Sequence, residues 1–121
     1  MRRSFFLRLV FLAALSLAAP LTLENPRPIS ELDKNYRDYA RRRTLVQVRG
    51  EITHQDKAAN NWAFLEDSSG AVLLDFSSAP PDVRLPRQKI GSILIVEGRV
   101  SLDETVLNGY VLLPEAYKTM P

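Results

Sequence analysis

The chain has 121 residues and no cysteine, with 16 Lys and Arg against 14 Asp and Glu. That length allows one domain once any processed segment is removed; the missing thiol excludes disulfides, thiol catalysis and a lipid-modified cysteine. The formal charge of +2 overstates the basic character of the folded part, because Arg2, Arg3 and Arg8 fall in the first 18 residues, and without them 13 basic side chains face 14 acidic ones. Nucleic-acid binding rests on neutralising phosphates with net or clustered positive charge, so this balance counts against it.

Residues 1–18 have the layout of a secretory signal peptide. Arg2 and Arg3 form a positive start, Phe5–Leu17 is a short apolar run, and Ser16 and Ala18 are the small residues before a cut after Ala18. The run is interrupted by Arg8 and falls short of the roughly 20 residues a spanning helix needs. Cleavage, a periplasmic or secreted location and no stable membrane span afterwards are therefore expected, rather than retention as an anchor.

Residues 19–43 read as a lead-in and a helix. Leu21–Pro28 carries two prolines and is expected to be extended. Over Ile29–Arg42, Ile29, Leu32, Tyr36, Tyr39 and Ala40 recur at helical spacing and make one apolar stripe. Ser30 is placed to cap this helix, Glu31 and Asp33 put negative charge in its first turn, and Arg41–Arg43 put positive charge at its end. The stripe predicts a lid packed on whatever follows.

Residues 44–113 read as five strands. Thr44–Thr53 alternates apolar and polar residues and carries Gly50 where a curved strand would bend to serve two partners. His54–Asn61 is a polar loop without an apolar anchor. The run from Trp62 enters a hairpin at Asp67-Ser68-Ser69-Gly70, where Asp and Ser bond back to their own backbone and Gly is expected to take positive φ; Ala71–Phe76 follows. Ser77–Lys89, with three prolines, predicts an irregular connection rather than a helix. Ile90–Val100 is the most apolar strand, Ser101–Glu104 a short polar turn, Thr105–Leu113 the closing strand and residues 114–121 a tail. The fold class is all-β: a five-stranded Greek-key barrel with one N-terminal α-helix.

The segments VQVRGEI, FLEDSSGAVLLDF and IGSILIVEGRV, in that order, resemble an OB-fold. With a signal peptide and a helix before the first strand, the chain is similar to the bacterial OB-fold (BOF) family of small exported proteins. The resemblance covers about Arg27 to Leu113, and its motifs are those of the fold rather than of a site. It implies a periplasmic location, an open ligand face, no catalytic machinery, and links to envelope stress or small-ligand binding. The last third, from APPDVRLP through VEGRVSLDETVLNGYVLLPEAY, also resembles the periplasmic haem chaperone of cytochrome c maturation. That family's haem-attaching histidine lies four residues before a tyrosine; here Tyr117 takes the tyrosine place, but Leu113 stands where the histidine is needed.

In OB-folds the ligand lies on the outer face of the first three strands, flanked by the loops after strands one and four. Strand alternation puts Trp62, Phe64 and Glu66 on one side and Ala63 and Leu65 on the other. If Leu65 is core, Trp62 and Phe64 face out near Gln47, Arg49 and Leu73, as a stacking platform for a sugar ring, a base or a haem edge. The alternative is that the Tyr36/Tyr39 stripe covers this patch. His54 joins the candidate set from the loop, although a lone histidine makes a poor metal site. The candidate ligand-binding residues are thus Gln47, Arg49, His54, Trp62, Phe64 and Glu66, with no catalytic group, cofactor or metal. The expected activity is non-catalytic binding of a small molecule, glycan fragment or envelope protein partner. Two alternatives stand beside it: a single-strand nucleic-acid binder on the same face, and a structural subunit of an envelope complex.

Overall fold

The architecture follows from alternation along each strand. In the computed structural model, which describes residues 25–56, 58, 59, 61–83 and 90–121, helix α1 (Ile29–Arg42) precedes strands β1 (Leu45–Gln55), β2 (Trp62–Asp67), β3 (Gly70–Asp75), β4 (Ile93–Leu102) and β5 (Tyr110–Thr119). The strands close into a barrel in the order β1-β2-β3-β5-β4. Every second residue points in, so Val46, Val48, Ile52, Ala63, Leu65, Val72, Leu74, Leu94, Val96 and Leu112 form one buried core. The proposed signal segment, residues 1–18, lies outside the described residues. Among the described residues no helix is long and apolar enough to cross a membrane.

Gly50 does what the sequence suggests. The first part of β1 pairs with β4 and its end pairs with β2, with Glu51 opposite both Ile93 and Glu66. A Cβ on Gly50 would lie 2.7 Å from the Glu66 carbonyl oxygen, so the crossover needs a residue without one.

Helix α1 closes one end of the barrel. Ile29 and Leu32 are fully buried in the common core, and Tyr36, Tyr39 and Ala40 pack against it. Tyr36 stacks on Tyr110 at 4.9 Å between ring centroids, and the buried Tyr110 hydroxyl donates to Asp33 Oδ1 at 2.6 Å. Burial, and then that bond to a carboxylate, push the Tyr110 phenol well above its ordinary value. Tyr110→Phe is expected to cost about 1 kcal/mol in urea unfolding, because the lost bond leaves only the exposed Asp33 to be hydrated. In the unmodified protein Tyr110 should resist alkaline titration until the barrel opens.

The sequence places some boundaries differently. Ser30 does not cap the helix: Pro28 holds the cap position without a side-chain bond. The free amides of the first turn are met from the barrel instead, Ile29 N–H by Asp67 Oδ2 at 2.9 Å and Ser30 N–H by Ser69 Oγ at 2.9 Å. Gly70 does not take positive φ. Asp67 and Gly70 pair across a two-residue loop, with the Asp67 carboxylate accepting from the Ser69 and Gly70 amides, the Asp-first, Gly-last pattern that type I turns favour.

The closing strand is displaced furthest. Thr105–Gly109 is a turn, and β5 runs through the segment read as a tail, to Thr119. Proline interrupts a ladder, so a strand is not expected to run through Pro114. Here it sits opposite Gly98, at a register shift in the β4–β5 pair where a missing donor is tolerated. Strand β4 likewise starts at Ile93 rather than Ile90, and β1 runs on through His54 and Gln55. Of the irregular connection after β3, residues 77–83 are described as turns, with Val83 buried; 84–89 lie outside the described residues.

Candidate ligand-binding face

Leu65 is core, and its neighbours Trp62 and Phe64 therefore face out, with 39% and 36% of their surfaces exposed. The two rings meet edge to face at 5.9 Å, and His54, paired with Phe64 across the strands, meets Phe64 the same way at 5.9 Å. Phe64 lies opposite Leu73, and Trp62 opposite Asp75. The helix packs mainly on β4 and β3, with its tyrosines turned to Tyr110, Arg27 and Glu31. It leaves this aromatic row uncovered.

The row forms one wall of a groove of about 480 Å³ running along β2 and β3. The opposite wall is the β4–β5 turn, Asp103, Thr105 and Val106, with Val111 beneath. The turn is held by its own bonds. Asp103 Oδ1 accepts from Thr105 N–H at 2.9 Å and from its hydroxyl at 2.6 Å, Gly109 N–H donates to the Val106 carbonyl at 2.8 Å, and Gly109 takes φ 85°. The Thr105 hydroxyl and amide hold the Asp103 carboxyl below its ordinary range. Asp75, below Trp62, is built the same way, with Oδ1 accepting from Ser77 N–H at 2.9 Å and its hydroxyl at 2.6 Å. Two carboxylates thus stand across the groove from each other.

The loop after β1 borders the groove through Asn61. It is organised around the Asp56 carboxylate, which accepts from the amides of Ala58, Ala59 and Asn61 at 2.9–3.3 Å.

Of the six residues singled out in the sequence, the structure brings together Trp62, Phe64 and His54. Arg49 and Glu66 share the sheet face but line a separate shallow concavity of about 420 Å³ with Glu51, Asp67 and Ser68. Register explains the separation: Glu51 pairs with Glu66, so Arg49 lies beyond the far end of β2 from Trp62. Gln47 turns to β4, where its side-chain amide donates to Glu97 Oε2 at 3.2 Å. Sequence reasoning passed over Asp75 and Asp103 as groove residues. Their signal was present, because Asp75-Phe-Ser77, Asp103-Glu-Thr105 and Asp67-Ser-Ser69 all follow the Asp-x-Ser/Thr pattern of a side chain closing its own turn. Tyr117, the tyrosine of the haem-chaperone resemblance, lies within β5 and packs edge to face on Phe76 at 6.3 Å.

The structure described as that of the hypothetical protein ygiW from E. coli is similar to this chain with a TM-score of 0.57 and 16% identity, over 82% of this chain and 94% of that one. The fold is an OB-fold. Asparaginyl-tRNA synthetase from Pyrococcus horikoshii matches 64% of this chain over 20% of its own length, with a TM-score of 0.52 and 20% identity. The S. pombe Stn1–Ten1 complex matches 63% of this chain over 57% of the matched chain, with a TM-score of 0.50 and 17% identity. No protein-family model matches the sequence, and a comparison with curated proteins gives no match either. At these identities the likeness carries the barrel and its helix, which agrees with the fold implied by the bacterial OB-fold resemblance, and it carries no binding activity.

Proposed function

We propose that this protein is an exported, non-catalytic binding module of the cell envelope, taking a small molecule, a glycan fragment or a segment of an envelope protein into the groove beside Trp62 and Phe64. The observation that carries this reading is the open aromatic row walled by a turn that its own hydrogen bonds hold in place. Exposed rings beside acceptor carboxylates suit a ligand that offers an apolar face and donor groups. Export rests on residues 1–18, and N-terminal mass analysis of the protein from a periplasmic fraction should find Ala19 as the first residue.

Single-strand nucleic acid is the second reading, since OB-folds stack bases on such rings. Asp75 and Asp103 on the two walls count against it, because a phosphate backbone in the groove would pass between two carboxylates.

Trp62 is the sole tryptophan, so its emission reports on the groove directly. Titration with peptidoglycan fragments, haem and a short oligonucleotide, each at low and high salt, should give a saturable change with a glycan or haem that persists in salt. Trp62→Ala, which removes the fluorophore and is therefore followed by calorimetry, should weaken that binding by tenfold or more, about 1.4 kcal/mol, and lower stability by about 1–2 kcal/mol, since more than half of the side chain is covered. A response to the oligonucleotide alone, collapsing in salt, would replace this reading with the second one.

A further inference from the structure

A third concavity lies between the last turns of α1 and the end of β4, apart from the aromatic groove. Its volume is about 530 Å³; Arg37, Arg41, Arg43 and Arg99 line it, and no acidic side chain does. Its floor is apolar, from Ala40, Val100, Leu102 and Leu113, with Leu102 57% exposed. We propose that this concavity binds a phosphate-bearing ligand, the phosphate held among the arginines and an adjoining apolar group on the floor.

Charge and preorganisation support this assignment. Four arginines line the surface, and two carboxylates bond to two of them from outside it. Asp38 is shared between Arg41 and Arg42, and Glu115 takes Arg99 Nε at 2.7 Å. Arg37 lies over the Tyr36 ring at 4.9 Å, and neither it nor Arg43 has a carboxylate partner among the described residues. The positive charges of Arg37 and Arg43 are therefore left over on one concave, partly apolar surface, where field lines converge. Arg99 is held at both ends, by Glu115 and by the Arg43 carbonyl, which accepts from its guanidinium. Its remaining donors are thereby oriented before any ligand arrives. Guanidinium forks match phosphate oxygens two at a time, and a phosphate carrying more than one charge uses the excess better than a single carboxylate. No aromatic side chain lines the concavity, so it offers no ring on which bases would stack.

The phosphate could come from a lipid headgroup or from a free phosphate compound, and the experiment separates these sources. Binding of the full processed chain to inorganic tripolyphosphate is measured by calorimetry, and to phosphatidylglycerol vesicles, against phosphatidylcholine vesicles, by sedimentation. An oligonucleotide is titrated alongside. Saturable binding to either phosphate source is expected, weakening as salt rises. Tripolyphosphate alone would identify a free compound, and phosphatidylglycerol alone a lipid surface. The double variant Arg37→Gln, Arg41→Gln should bind on the order of tenfold more weakly. Lys118→Gln, which removes a positive charge elsewhere, should stay within about twofold.

Arg43→Gly guards against loss of fold as an explanation. Arg43 holds φ 54° at the end of the helix, a conformation glycine adopts freely, so this variant should melt at a higher temperature while binding phosphate more weakly. Absence of binding to both sources, equal loss in Lys118→Gln, or binding of the oligonucleotide alone would overturn the assignment.

Discussion

Gly98→Ala is expected to destabilise the barrel by about 3 kcal/mol or more, among the largest effects of any single methyl group added to this chain. A Cβ on Gly98 would lie 2.3 Å from the Leu113 carbonyl oxygen and 3.0 Å from Pro114 Cα. Both are backbone atoms, so no rotamer change relieves the clash. Strand β5 itself must move, at the register shift that makes room for Pro114. Gly70→Ala is the matched control: the nearest atoms to its added Cβ are 3.7 Å away and its φ is not positive. It should change stability by less than about 0.5 kcal/mol. Urea unfolding of the two variants, read at a shared denaturant slope, tests the difference. A mild effect at Gly98 would mean that β5 does not pass so close to β4.

Asp67→Ala should cost about 2–3 kcal/mol, because one carboxylate joins helix to barrel. Its Oδ2 accepts the Ile29 amide and its Oδ1 the Ser69 amide, the Ser69 hydroxyl and the Gly70 amide, all at 2.6–3.0 Å. Removal leaves a helix N-terminus uncapped and a turn without its organiser. The same contacts set the pH dependence. Burial works to raise the Asp67 carboxyl, but the bonds from the Ser69 hydroxyl and from the Ile29, Ser69 and Gly70 amides outweigh it and hold the group below its ordinary range. A carboxyl lowered in the folded state contributes stability that is present above its unfolded-state value and lost as pH falls through the folded one. The native protein should therefore lose stability between neutral and strongly acid pH more steeply than Asp67→Ala. Thermal melts of both proteins across that range check the prediction, and parallel curves would sink it.

The candidate site was legible in part. Two-residue alternation from Leu65 was enough to turn Trp62 and Phe64 outward, because a strand offers its side chains two directions. Which outward residues share a groove was not legible, since that depends on register. Arg49 and Phe64 lie on the same face, yet the pairing of Glu51 with Glu66 puts them at opposite ends of it. The acidic wall was out of reach for a similar reason. Asp75 and Asp103 are 28 positions apart and line one groove only because the barrel brings the β4–β5 turn over β2 and β3.

Local sequence was sufficient for the number of strands, the amphipathic helix before them, the inward set of aliphatic residues and the bend at Gly50. Each of these follows from local periodicity or from a single residue's backbone freedom. Tertiary structure decided where the chain departs from local rules. Pro114 sits inside a strand because it falls at a register shift, where Gly98 opposite leaves space. A helix without a side-chain cap of its own is capped from the Asp67 turn, because closing the barrel end brings that turn to its first amides. Four arginines, from α1, the residue that ends it and β4, face one apolar floor because the helix lies across the mouth of the barrel. In each case the deciding contact joins residues distant in the chain, and no local pattern carries it.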